Sequence, residues 1–511
     1  MAEVRRRLLF GPAAGAANRS LTLFAWLVIT PLILASIGDE AYGLWVLVGT
    51  IASYGYLLDL GMGGAIVKYL AEHFARGDDE SASVVLSTAM LAFALLGLAC
   101  LGGGIVVAAL LPPVLGLSHE LRTSSQVLIV LVVSSVALAL ASAPLSLALR
   151  GLQQHGLFNT INLASNLALV ALSAVVLLAG GGLLAMVAVN IPLILVSAAA
   201  YWVVVRRVAP RLTISARLMR RREAAGLLRF SSWVFAQSAS GQLQQKSDEI
   251  VIAAFLPIAS VTPYALARRL GQLAFMLATQ FSNVLLPLAS ELDARADMDR
   301  LRALLIGGTR VLLAVFMPLA IVLTFLAEPI LRVWVGIEYV SAAVLVVILT
   351  AAGLVGISVW PAAAVLTGMA RHRFVGAVSI ANGVANIVLS VMLVEPLGLV
   401  GVALGTLIPT SIEAVLLTMP YAMRQLSIRP GDLIRRVWMP VLLPAVPASL
   451  AVIVASRLVD LASLVGILGA AAGVTAIYFG VYLLQPQAVY ERGLVRWALS
   501  TGLRVARPPG R

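Results

Sequence analysis

The stretch QSASGQLQQKSDEIVIAAF, residues 237–255, sets Gln, Lys, Ser, Asp and Glu inside an apolar run long enough to cross a bilayer. At helical spacing Gln237, Gly241, Gln245 and Asp248 share one face, with Ser238, Gln242 and Glu249 beside it. An ionisable side chain at the bilayer centre costs about 2.5–3.5 kcal/mol on insertion scales, and it faces a protein interior or a water-filled cavity. The next apolar segment carries Arg268 and Arg269 side by side. Two readings stand. Asp248 and Glu249 pair with Arg268 and Arg269 and lock a helical hairpin, or part of this charge lines an aqueous path. In the second reading Arg268, Arg269, Lys246, Gln245, Gln242 and Gln237 form a set that meets a polar substrate. Asp248 and Glu249 join Asp59 (in YLLDLGMGG) and Glu413 (in TSIEAVLL) as carboxylates suited to a coupling ion. Asp59 reads equally well as a cap on a broken, glycine-rich helix end. Glu413 reads equally well as an interhelical hydrogen bond.

The remaining polar residues within apolar runs have plainer roles. Arg19, Arg310 and Lys68 lie near cytoplasmic ends and are expected to snorkel to the interface. Asn162/Asn166 and Asn382/Asn386 repeat an i, i+4 pair, expected to bond helix to helix. Neither lysine, Lys68 or Lys246, follows a glycine, so no phosphate-binding P-loop exists. His73, His119, His155 and His372 show no HExxH spacing, and no GxSxG elbow occurs. Cys100 is the single cysteine, which leaves neither a disulfide framework nor a thiolate zinc site. The expectation is a protein that is not an enzyme, with no cofactor and no metal.

These residues sit in a chain of 511 with 61% hydrophobic and 12% charged residues and a mean hydropathy of +1.00. That balance excludes an ordinary soluble globule. Apolar stretches of bilayer-spanning length recur throughout, and predict an all-α polytopic membrane protein of about fourteen transmembrane helices. No cleavable signal pattern opens the sequence, so the first apolar segment is expected to be a span. The net charge of +13 follows topology rather than nucleic acid. Of the 36 Lys and Arg, the expected outer loops hold only Arg122, Arg332 and Arg457, which places both termini in the cytoplasm.

The chain also repeats itself. Pro144, Leu149, Gly151, His155, Gly181 and Pro192 match Pro361, Leu366, Gly368, His372, Gly398 and Pro409 without a gap. AEHFARGDDE (71–80) echoes SELDARADMD (290–299), and Tyr42 corresponds to Tyr264. The expected organisation is a six-helix bundle over 1–205, a basic cytoplasmic linker over 206–229, and a second bundle of the same orientation over 230–424. An extra two-helix hairpin (425–484) and a basic cytoplasmic tail (485–511) follow. Two parallel repeats are a transporter architecture, with the substrate path between them. The linker's arginines suit anionic lipid head groups.

EAYGLWVLVGTIASYGYLLDLGMGGAIVKYLAEHFARGD (40–78) resembles the second-helix region of the polysaccharide transporter family. The run from Asp248 to Leu270, with DEIVIAAFL and YALARRL, resembles that family's seventh and eighth helices. The family holds the O-antigen and exopolysaccharide flippases, in the superfamily of the lipid II flippase and the multidrug and toxin extruders. The resemblance implies twin bundles that open alternately to the two sides. It also implies a substrate consisting of an isoprenoid-pyrophosphate-linked oligosaccharide moved to the outer leaflet of the inner membrane. Arg268 and Arg269 match the place where family members carry cavity arginine on the eighth helix. Asp248 and Glu249 depart from a purely cationic lumen. A proton or sodium gradient and glycan polymerase machinery are the implied partners. The rival expectation from the same architecture is a cation-coupled exporter of small organic cations, for which the carboxylates would be the working groups.

Overall fold

The computed structural model describes residues 2–59, 61–114, 119–220, 241–243, 246–458, 461–488 and 491–493; side chains at 2–20, 114, 119–121, 216, 273–284 and 458 are excepted. Every regular element among them is helical. Ten helical stretches of the described residues are long and apolar enough to cross a membrane. Two of these are hairpins. Gly38 (φ 76°, ψ 173°) breaks the run Ala2–Gly55, and Gly398 (φ 59°, ψ −136°) breaks His372–Ile412. At these angles only glycine turns the chain without a Cβ penalty. The chain folds back at once: the Trp26 and Trp45 rings lie 5.9 Å apart across the first turn. Val261–Ala294 forms a further long helix. Of the expected seventh span, 230–256, residues 230–240, 244 and 245 lie outside the described residues.

By contact the chain divides into two compact units, 1–265 with 394–402, and 266–393 with 403–511. The core of the first is built from Ile66, Leu70, Leu86, Phe93, Leu149 and Leu212, all fully buried or nearly so. Its helices Asp79–Val114 and His119–Gly151 approach closely because glycine removes the side chain between them. A Cβ at Gly97 would stand 2.6 Å from the Ala137 carbonyl oxygen. The core of the second unit gathers Leu301, Leu305, Leu313, Val365, Leu366 and Tyr478.

The echoed stretches 71–80 and 290–299 have the same local build. Arg76 pairs with Glu72 at 2.6 Å, and Arg295 pairs with Glu291 at 2.6 Å. Gly77 (φ 70°) and Ala296 (φ 53°) turn the chain. Asp78 then accepts from the Ser81 amide at 2.9 Å, and Asp297 accepts from Arg300 at 3.1 Å, so each caps the next helix. The matched Gly151 and Gly368 also serve alike. A Cβ on the first would lie 2.8 Å from Leu70 Cβ, and on the second 2.6 Å from Ala289 Cβ.

The Asp78 cap makes stability pH-dependent. Hydrogen bonds from Ser81 hold its carboxyl below the usual range, aided by His73 and Arg76. A folded-state value below the unfolded one adds stability that is complete above the unfolded value and is lost as pH falls through the folded one. Asp78→Ala should therefore lower the melting temperature of the detergent-solubilised protein at neutral pH. The difference from the parent should vanish once the pH is below the carboxylate range.

Helix packing in the second unit gives a sharper expectation. Across the Gly398 turn, Asn386 Nδ2 donates to Thr406 Oγ1 at 2.9 Å and to the Gly405 carbonyl at 3.3 Å. A Cβ at Gly405 would meet the Ser390 hydroxyl and would stand 2.8 Å from its amide nitrogen. Gly405→Val should cost about 1–3 kcal/mol by overpacking, read as a lowered melting temperature. Gly473→Ala, where an added Cβ meets nothing within 4 Å, is the matched control and should leave it unchanged or raised.

One sequence expectation needs correction. Arg310 does not snorkel: its Nε and Nη2 reach Glu491 Oε1 at 3.0 and 2.6 Å, and the Tyr482 hydroxyl donates to the same oxygen at 3.2 Å. The reason is the chain after the last long helix, which docks instead of leaving. Gln485 Nε2 donates to the Pro440 carbonyl at 3.0 Å, and Ala488 is buried, which brings Glu491 to the arginine. The asparagine pairs differ from each other. Asn386 bridges helices as expected, and Asn162 does so too by hydrogen-bonding the Tyr201 side chain of the helix Asn190–Val208, while Asn166 Nδ2 bonds along its own helix to Asn162 O (2.9 Å) and Oδ1 (3.0 Å).

The linker begins after Val208 and is strapped to the first unit. Amides of Thr213, Ser215 and Arg220 donate to Ser83 Oγ (3.1 Å), Ser87 Oγ (3.1 Å) and Thr88 Oγ1 (3.2 Å). Leu212 is sunk in the core beside them. Arg211, Arg217 and Arg220 are left exposed on the outside of this strap.

Candidate functional site

Helix 246–255 carries the hydrophilic patch, and the structure divides its members. Ser247, Asp248 and Glu249 are buried, the two carboxylates at 2% exposure, while Lys246 is half-buried. Asp248 Oδ2 accepts a 2.6 Å hydrogen bond from the hydroxyl of Tyr264, itself fully buried. A carboxylate at this depth is tolerable only when hydrogen-bonded, and the phenol supplies a donor without a second charge. Upstream, Gln242 Nε2 donates to the Ser53 carbonyl at 3.1 Å, and the Tyr54 hydroxyl donates to the Gln242 carbonyl at 3.5 Å. Close backbone approach tightens the same join. A Cβ on Gly43 would fall 2.5 Å from the Ile258 carbonyl oxygen, and Thr262 donates to the Asp39 carbonyl at 2.7 Å. Gln237 and Gln245 lie outside the described residues.

Arg268 and Arg269 follow Tyr264 by about one turn of the helix Val261–Ala294, and both are half-buried. Their neighbours Ala265, Leu266, Ala267 and Leu270 are buried, so the arginines stand as adjacent charges within a locally apolar stretch of the helix.

The other carboxylates take separate places. Asp59 ends a 3₁₀ turn and accepts from the Gly61 amide at 2.7 Å, where Gly61 has φ 75°. The bond closes an Asx-type turn at the break in the helix. Glu413 opens a π-helical turn, Glu413–Thr418, and accepts from Asn382 Nδ2 of the preceding helix. Asn382 is 9% exposed and Thr418 1%. Such turns widen a helix and are frequent at functional sites. Tyr264 and Asn382 are the partners that composition could not single out as site residues. The correspondence of Tyr42 with Tyr264, and the repeated asparagine pair, were the signals available.

Known proteins bear on this arrangement. Residues 19–293 match the family described as polysaccharide biosynthesis protein. In fold the chain is similar to a lipid II flippase, MurJ, in an inward closed conformation (TM-score 0.68, 16% identity, covering 97% of this chain and 100% of that one). It is also similar to an inward-facing multidrug resistance MATE family transporter of the MOP superfamily (TM-score 0.61, 16% identity, 79% and 98% covered). A MATE structure in complex with MaL6 matches with a TM-score of 0.56 at 15% identity, over 83% and 96%. No curated protein sequence matches the chain significantly. The solved structures share a transporter fold of packed membrane helices, and the family match spans more than half of the sequence. This chain is a multi-pass membrane protein that belongs to the polysaccharide biosynthesis protein family.

Proposed function

We propose that the protein carries an isoprenoid-pyrophosphate-linked oligosaccharide from the cytoplasmic to the outer leaflet of the inner membrane by alternating access, for cell-surface or exopolysaccharide assembly. The observation that carries this reading is the adjacent, half-buried pair Arg268 and Arg269 in an apolar helix of a polysaccharide-family chain. A pyrophosphate offers the oxygens that two guanidinium forks bind. Lys246 and the upstream glutamines Gln237, Gln242 and Gln245 supply further head-group contacts. The prenyl chain stays in lipid while the head group crosses. Asp59, Asp248, Glu249 and Glu413 are the groups through which a proton or sodium gradient would act. The strapped linker, with Arg211, Arg217 and Arg220 outward, faces anionic lipid at the cytoplasmic surface, and a glycan polymerase takes the product on the other side.

The buried carboxylates Asp248 and Glu249 favour one rival, an exporter of small organic cations. Proteoliposomes separate the two. Purified protein is reconstituted with a fluorescent prenyl-pyrophosphate oligosaccharide in the inner leaflet, and its arrival outside is read by lectin accessibility. Appearance well above protein-free vesicles is the expected result. No excess over empty vesicles, with uptake of tetraphenylphosphonium instead, would replace this reading with the rival.

A further inference from the structure

Inside the first unit, a cavity of about 230 Å³ opens among the helices that carry Trp26, Trp45, Ser173 and Asn190. We propose that it is a binding subsite for a single neutral sugar ring. The inference rests on the functional reading above, since it supplies a place for part of the glycan.

The lining is unusual for a membrane interior. Trp26 and Trp45 form one wall, their centroids 5.9 Å apart and planes inclined by 38°. Trp45 is held in place by the fully buried Tyr42, whose ring meets it edge-on at 5.6 Å and 70°. Indole faces present broad apolar surface to the C–H face of a pyranose. Around this wall stand Ser53, Tyr56, Ser173 and Asn190. The Ser53 hydroxyl spends its proton on the Thr50 carbonyl at 2.6 Å, which leaves its lone pairs as acceptors. The Asn190 amide brings both donors and an acceptor. Sugar hydroxyls need both kinds.

Charge and size exclude the alternatives. None of the described lining residues is Asp, Glu, Lys, Arg or His, so neither a phosphate nor an organic cation finds a counter-charge. The volume falls below the roughly 300–1,000 Å³ typical of drug-sized ligands. A cavity left to packing alone in such an environment would be dry and apolar. This one is bordered by the Asn190 amide and by serine and tyrosine hydroxyls, in surroundings where burying polar groups is expensive.

Gly49 provides the test, because it lines the cavity and a Cβ there meets nothing within 4 Å. Gly49→Leu adds bulk to the cavity wall at a position whose Cβ has room. Full-length protein in nanodiscs is titrated calorimetrically with the methyl glycosides of glucose, galactose and N-acetylglucosamine. Binding of at least one of them in the millimolar range is expected, weakened about tenfold or more by Gly49→Leu, Trp26→Leu and Asn190→Leu. Tetraphenylphosphonium should not compete. Absence of binding by all three glycosides, equal affinity in the variants, or competition by the cation would each overturn the subsite. The transport assay keeps the two proposals apart. Wild-type vesicles that move the lipid-linked glycan while Gly49→Leu alters neither binding nor transport retire the subsite alone. Wild-type vesicles that move none retire the functional reading, and glycoside binding still decides the subsite.

Discussion

Replacing Arg268 and Arg269 together with alanine is expected to lower transport of a prenyl-pyrophosphate glycan by about two to four orders of magnitude. A hydrogen bond to a charged partner contributes about 1.5–3 kcal/mol, and the double variant removes two guanidinium partners from the pyrophosphate. Membrane insertion should be unchanged, because the apolar neighbours Ala265, Leu266, Ala267 and Leu270 that pack the helix remain. Lysine replacements separate charge from geometry. They keep the positive charge but lose the planar fork, so they should recover only part of the activity. Inorganic pyrophosphate should compete with substrate in the parent and lose that effect in the alanine variant. Export at parental level in the alanine variant would remove both residues from the site. A fall in melting temperature with unaltered transport per folded molecule would assign them to an ion-pair lock instead.

The largest expected effect on stability belongs to Arg310. Its side chain and that of Glu491 are only 14% and 10% exposed, and they pair at 2.6 Å. Arg310→Ala strands a buried carboxylate, a change that costs about 3–5 kcal/mol when one partner of a buried pair is removed. Thermal unfolding in detergent should show a large drop. Replacing both partners by apolar residues, Arg310→Met with Glu491→Leu, should restore much of it, since desolvating two charges offsets most of their attraction. The Tyr482 hydroxyl, which donates to Glu491, would then lack its acceptor, so recovery should be incomplete. A double variant as unstable as the single one would show that the pair's charge, and not its packing, holds the chain end in place.

Much of the fold was open to inspection in the residues themselves. Apolar runs of spanning length and glycines at helix breaks follow from local physics. A bilayer rewards hydrophobic length and penalises charge wherever the chain later goes. The echo between 71–80 and 290–299 even anticipated matching caps, because an aspartate before a helix and a turning residue before the aspartate act within a few positions. The candidate site was legible only as a set of residue types. Asp248, Arg268 and Glu413 stood out by being ionisable in apolar surroundings, but nothing nearby in sequence named Tyr264 or Asn382 as the groups that touch the two carboxylates. Arg310 was misread for the same cause. Snorkelling is a local expectation, and its partner arrives from a segment 181 residues later.

The sequence alone determined that this is a polytopic helical membrane protein with its hydrophilic exceptions near residues 237–269, since composition and periodicity act over single helices. Only the tertiary structure decided what each exception does. It sank Asp248 against Tyr264, closed a turn at the helix break with Asp59, and drew two tryptophans, three serines, Tyr56 and Asn190 around one cavity. Those outcomes depend on side chains far apart in the chain, and a hydrogen bond or a cavity wall exists only once packing has brought its members together.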